Sequence, residues 1–256
     1  MFYRVDYMLA VQIAGFFLGF AFSRRTASMR PDRLASGYYL ATAVVLLLRV
    51  CSTLAGMFLG AHVLNILGAA LGDCAGVLFG ALLGLAARRS DRREFLVHPS
   101  VLGALCFGVA FTFALAAIGK VIALENMTEF FAQSGYSVTF LKFIVSAEIL
   151  GALGVLLPWA VPLAFIGLSV DMFGAVLTHV HNRDPLNDST GAIALLIHLM
   201  VVGVLWTLRP RTDKPVRTLK SATAFIAIAM LASLLVAVGG SSAMRHGGAP
   251  AASHLR

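Results

Sequence analysis

Residues 140–180 read FLKFIVSAEILGALGVLLPWAVPLAFIGLSVDMFGAVLTHV. Two long apolar runs meet at Pro158 and Pro162, and each run carries one carboxylate, Glu148 in the first and Asp171 in the second. A membrane span needs about 20 predominantly apolar residues. Proline removes a backbone donor and clashes with the preceding turn, so it belongs at helix ends. The stretch therefore predicts two membrane helices, 140–157 and 159–180, joined by a tight turn, each with an acid at bilayer depth.

The same pattern continues in both directions. Apolar runs at 7–22, 36–59, 63–87, 99–123, 190–208 and 219–239 bring the expected spans to eight. All eight prolines, at 31, 99, 158, 162, 185, 210, 215 and 250, fall at or near the proposed ends. The first run is followed at once by Arg24 and Arg25 without a small-residue cleavage site, so it reads as a retained span rather than a signal peptide. The fold class expected is an all-α polytopic bundle.

Composition agrees. The chain of 256 residues is 59% hydrophobic and 12% charged, against about 45–50% and about 25% for soluble domains. Too little polar surface remains to cover a water-soluble globule. The net charge of +8 does not call for nucleic acid, because 13 of the 20 Lys and Arg residues sit in the short segments 23–33, 88–94 and 209–220. With eight spans all three fall on one side, the cytoplasmic one by the positive-inside rule. Both termini then lie outside an inner, or plasma, membrane. Dropping any one span from the second to the seventh would split these loops between sides.

Cys51, Cys74 and Cys106 all lie in apolar stretches, with no Cys-x-x-Cys spacing. That pattern speaks against a disulfide framework, a zinc site and a dithiol redox enzyme. His179 and His181 are two residues apart, which turns them to different sides of a helix and disfavours a metal pair. No flavin, nicotinamide or haem-attachment motif occurs, so no cofactor is encoded and any electron carrier comes from a partner or a lipid.

Ionisable groups inside a bilayer are costly unless paired, so they are site candidates. Arg49 and Asp73 lie about a dozen residues either side of the turn near Gly60–His62, which places them at similar depth as a structural ion pair. Glu148, Asp171 and His179 form the candidate catalytic group, with Lys120, Thr178 and His198 as candidate ligand-binding residues. Glu148 and Asp171 could serve as acid and base, or hold each other by a shared proton with a Lys or His as countercharge. An internal polar network that only orients helices is the other reading. Gly68, Gly72, Gly76, Gly80 and Gly84 form one stripe along a helix, suited either to close packing inside the bundle or to a homo-oligomer interface.

Residues 98–208 resemble the DoxX and DoxX-like family. The matching features, in order, are Gly119-Lys120, the amphipathic stretch Met127–Tyr136, Ala147-Glu148 with Gly151, Leu157-Pro158, Val170-Asp171-Met172, Ala175, and Thr178-His179, closed by a helix over about 190–208. The resemblance implies a four-helix membrane bundle with Glu148, Asp171 and His179 around a polar pocket. The chain then divides into an N-terminal three-helix region, 1–95, the DoxX-like bundle, 96–210, and a C-terminal helix with a polar tail, 211–256. Some relatives are membrane subunits of sulfur-compound oxidation with quinone as acceptor, or partners of oxidative-stress enzymes. Wider four-helix relatives include sterol isomerases that use buried acids. The function implied is binding of a quinone or other lipid-like ligand as a membrane subunit or partner of an oxidoreductase. The alternatives are an acid–base enzyme on a lipid or terpenoid and a proton-coupled transporter.

Overall fold

A computed structural model describes residues 8–59 and 62–210. The expected last span, 219–239, and nearly all of the third basic loop lie outside the described residues. Those described form nine helices and no strand. Seven are long: α1 (Met8–Thr26), α2 (Pro31–Leu59), α3 (His62–Ala87), α5 (Pro99–Ile122), α7 (Val138–Leu156), α8 (Val161–Asn182) and α9 (Leu186–Leu208). Each corresponds to one expected span. The shortest have 19 residues, about 28 Å at the α-helical rise. Helices α5, α7, α8 and α9 are long and apolar enough to cross a membrane. Two short helices, α4 (Arg92–Leu96) and α6 (Leu124–Gln133), lie between spans. Helix α6 overlaps the amphipathic stretch Met127–Tyr136 expected from the sequence, and α4, with five residues, is too short to form an apolar run.

Local chemistry sets the boundaries. Pro99 opens α5, and the His98 ring accepts from the Ser100 N–H at 3.3 Å. Ser137 caps α7 by accepting from the Phe140 N–H at 3.2 Å. Each cap satisfies a donor that the first helical turn leaves open. Pro162 sits in the first turn of α8, so the α7–α8 turn falls where the prolines place it.

Helix α5 is the centre of the bundle. Some 72% of its apolar window is buried, against 28% for α7 and 33% for α8, whose outer faces are left for lipid. Phe113, Phe165, Leu105 and Leu199 form part of the continuous core of α5, α8 and α9. Helix α5 also packs on α2, which packs on α3, which packs on α1.

The α1–α3 contact rests on glycine. Gly15 meets the backbone of Val77, Gly19 that of Ala81, Gly80 that of Gln12 and Gly84 that of Phe16, each too closely for a Cβ to fit. Within the chain, the Gly76, Gly80 and Gly84 part of the stripe is therefore occupied by α1. The side chain of Asp73, and with it the expected Arg49–Asp73 pair, lies outside the described residues, as do the surroundings of Gly68 and Gly72. Arg49 is half-buried on α2.

The first two basic loops meet at one end of the bundle. The Arg89 guanidinium donates to the Thr26 and Met29 carbonyls, each at 3.3 Å, and grips both oxygens of Asp91 at 2.8 and 2.9 Å. That grip holds the Asp91 carboxyl below the usual carboxylate range. Ser100 Oγ donates to Asp32 at 2.6 Å across the same end. Helix α6 and the α8–α9 turn lie together at the other end, joined by Asn182 donating to Ser134 at 2.8 Å.

Candidate functional site

The site begins with a lysine that ends one helix and an acid inside the next. Lys120 occupies the last turn of α5 and Glu148 the middle of α7, and these helices pack side by side. The ammonium donates to both Glu148 oxygens, at 2.7 and 2.9 Å. Glu148 is completely buried, and the Lys120 side chain keeps 22% of its exposure. Removing a carboxylate from water costs several kcal/mol, and charge-assisted bonds of this geometry offset it.

The third member comes from α8. Gly151, one turn beyond Glu148, leaves the space into which Leu168 of α8 packs. This approach brings Asp171, one turn after Leu168, beside Glu148 on the cleft wall. Asp171 Oδ2 is enclosed and has no donor among the described residues. One ammonium thus faces two carboxyls.

A cleft of about 2370 Å³ runs along these helices. Ligand pockets commonly measure about 300–1,000 Å³, so this one has room for a long hydrocarbon molecule. Lys120, Glu148 and Asp171 lie on its wall, with Arg49 and Thr112 nearby and otherwise mostly apolar side chains from α5, α7 and α8.

At the cleft's outer rim stands a second polar group. Two turns beyond Asp171 on α8, Thr178 donates to the Gly174 carbonyl at 2.9 Å. The Tyr136 hydroxyl is 3.1 Å from Thr178 Oγ1. The single hydroxyl hydrogen of Thr178 is committed to a carbonyl, so Tyr136 donates to Thr178. His179 Nδ1 lies 2.8 Å from Asp184 Oδ2, and the Phe130 ring of α6 packs beside the imidazole at 5.7 Å. Asp184 reaches back because Arg183 ends α8 in the left-handed conformation, φ 59°.

Of the candidate residues, Lys120, Glu148, Asp171, Thr178 and His179 all line the one cleft. His198 does not join them. It is buried in the core, stacked on Phe79 of α3 with ring centroids 3.7 Å apart, and neither ring nitrogen has a hydrogen-bond partner among the described residues. Two rim partners escape sequence reasoning. Asp184 reads as one more acidic loop residue until the turn at Arg183 is known. Tyr136 lies 42 residues from Thr178, and only the Ser134–Tyr136 turn after α6 sets it there.

No curated protein and no solved structure matches the chain. The sequence pattern of the DoxX-like family matches residues 105–204, from the second turn of α5 to the last part of α9, and so contains every member of the cleft cluster. The chain is an integral membrane protein of which residues 105–204 are similar to the DoxX-like family, with further helices on the N-terminal side of that segment.

Proposed function

We propose that the chain binds a quinone or comparable lipid-like molecule in the cleft and serves as a membrane subunit or partner of an oxidoreductase. The observation that carries this reading is the Lys120–Glu148–Asp171 cluster on the wall of a large apolar cleft in a membrane bundle. The cleft suits a hydrocarbon tail, and the cluster offers a polar head both a cation and a carboxyl. In this reading the end bearing Arg24, Arg89 and Arg93 faces the cytoplasm of a plasma-membrane protein. The redox group belongs to the partner or to the bound molecule.

Trp159 reports on occupancy, since it lines the cleft and is 80% exposed. Decylubiquinone titrated into the chain in lipid nanodiscs is expected to quench Trp159 fluorescence saturably, in a Trp206→Phe background. Quenching that rises linearly with quinone, as for any indole in contact with lipid, counts against the proposal.

A second reading is favoured by one specific observation, the Asp171 carboxyl beside Glu148 whose Oδ2 is inaccessible and has no donor among the described residues. Such a pair can give and take a proton, as an enzyme acting on a lipid or terpenoid requires. Glu148→Gln and Asp171→Asn then each abolish turnover while the fold persists. Retained turnover in both variants removes this reading.

A further inference from the structure

The end of the bundle that carries the basic loops lies away from the cleft cluster and has a chemistry of its own. Gly80 of α3 meets Gln12 of α1, and one turn on Gly84 meets Phe16, so α1 and α3 run parallel in close contact and their C-terminal ends meet. There the Arg88 guanidinium of α3 lies over the Phe20 ring of α1, 3.9 Å from its centroid. Arg24 follows Phe20 by four residues, and residues four apart on a helix are neighbours on one face. Two guanidinium groups, one from each helix, therefore flank a single ring.

These two cations differ from their neighbours in being uncommitted. Arg30 reaches Asp32 at 3.9 Å, and Arg89 holds Asp91 at 2.8 Å. Among the described residues, no carboxylate lies within ion-pairing distance of Arg24 or Arg88, and both arginines are exposed. The face of α1 that carries Phe20 and Arg24 continues through Phe17 and Ile13, which are 64% and 52% exposed. Spacings of three and four residues put all four side chains in one row along the helix. The row is apolar on the outside of the bundle and ends in a pair of free guanidinium groups.

We infer that this row is a binding site for an anionic phospholipid, its phosphate held by Arg24 and Arg88 and an acyl chain laid along Phe17 and Ile13. A guanidinium presents a planar fork of N–H donors that matches two phosphate oxygens. The Phe20 ring beneath Arg88 holds that group at the end of the row through a cation–π contact. A soluble acidic protein would meet the charges but leave the apolar row bare, whereas a phospholipid satisfies both. Basic groups at the cytoplasmic end of membrane helices also face the leaflet richest in anionic lipid. None of Ile13, Phe17, Phe20, Arg24 and Arg88 lines the cleft, so the site is independent of the ligand proposed there.

The test is a native mass spectrometry titration of the delipidated full chain in detergent with phosphatidylglycerol, and separately with phosphatidylcholine. Wild type is expected to bind phosphatidylglycerol at least tenfold more tightly than phosphatidylcholine. Arg24→Gln/Arg88→Gln is expected to weaken phosphatidylglycerol at least tenfold. Arg92→Gln/Arg93→Gln, which removes the same charge from nearby α4, is expected to leave it nearly unchanged. Phe20→Leu, with no change of charge, is expected to weaken it severalfold. Inorganic phosphate at millimolar concentration is expected not to displace the lipid. Thermal unfolding checks each variant. Should Arg24→Gln/Arg88→Gln prove misfolded, Phe20→Leu against Arg92→Gln/Arg93→Gln carries the same comparison. Equal weakening in the two double variants means diffuse attraction to positive charge and overturns the inference. So does equal binding of the two lipids, full affinity in Phe20→Leu, or displacement by phosphate, which would mark a site for a soluble anion.

Discussion

Lys120→Met is the most informative single perturbation. In the wild-type chain the ammonium meets both oxygens of Glu148, at 2.7 and 2.9 Å, and Glu148 has no exposure to water. Removing the lysine leaves a buried acid without its cation, and breaking a buried pair in this way costs about 3–5 kcal/mol. Lys120 keeps 22% of its exposure, so water can replace part of what is lost, and the expected cost sits at the lower end, about 3 kcal/mol. Glu148→Leu alone strands a partly exposed ammonium that can turn toward water, and it is expected to cost less, about 1–2 kcal/mol. Lys120→Met with Glu148→Leu removes both charges and fills the space with apolar atoms, so the double variant is expected within about 1 kcal/mol of wild type. Steric trapping in bicelles measures reversible unfolding for all four chains, and the cycle isolates the pair. Additive costs, with the double variant the least stable, would refute the assignment of Lys120 and Glu148 as a buried pair.

Three other outcomes follow from the same geometry. Gly80→Leu places a side chain against the Gln12 carbonyl, where no Cβ fits. It is expected to drive α1 off α3, lowering stability by about 3 kcal/mol or more, and a cysteine cross-linking test between α1 and α3 should lose its product. Tyr136→Phe removes one hydrogen bond to Thr178 and is expected to cost about 1 kcal/mol, measured by the same trapping assay. Arg89→Ala frees the Thr26 and Met29 carbonyls and Asp91 together, for about 2 kcal/mol. The Asp91 carboxyl is held below its usual range by Arg89. That part of the stability is therefore present above the ordinary Asp value of about 3.9 and is lost as pH falls through the lower, folded one. The wild-type advantage over Arg89→Ala should shrink only in that acid range.

Seven of the long helices were legible because span length and proline placement are strong, local signals. Pro158 and Pro162 fix the α7–α8 turn, and Pro31 and Pro99 open α2 and α5. The meeting of Glu148 with Asp171 was legible as well, since few acids lie at bilayer depth and such acids need company. The particular partner was not. Lys120 lies 28 residues from Glu148, and which cation faces the acid depends on how α5 is rotated, a property of packing in three dimensions. His198 shows the opposite case. Its position on α9 looks equivalent to that of a cleft residue, but rotation turns it onto Phe79. Asp184 was obscured by a single left-handed residue, Arg183, which reverses the chain and folds the loop back onto His179. The glycine stripe left two readings open, and at Gly80 and Gly84 the chain packs it against its own α1.

The central claim is that a lipid-like molecule occupies the cleft with its polar head at Lys120, Glu148 and Asp171. Native mass spectrometry of the full chain released from nanodiscs with decylubiquinone tests it directly, comparing wild type with Lys120→Met/Glu148→Leu. That double variant is expected to keep its fold while losing the head-group site. Wild type is predicted to carry one quinone per chain. The variant is predicted to bind at least tenfold more weakly, since one charge-assisted hydrogen bond is worth about 1.5–3 kcal/mol and about 1.4 kcal/mol is tenfold. Equal occupancy of both chains, or no quinone on wild type, contradicts the account.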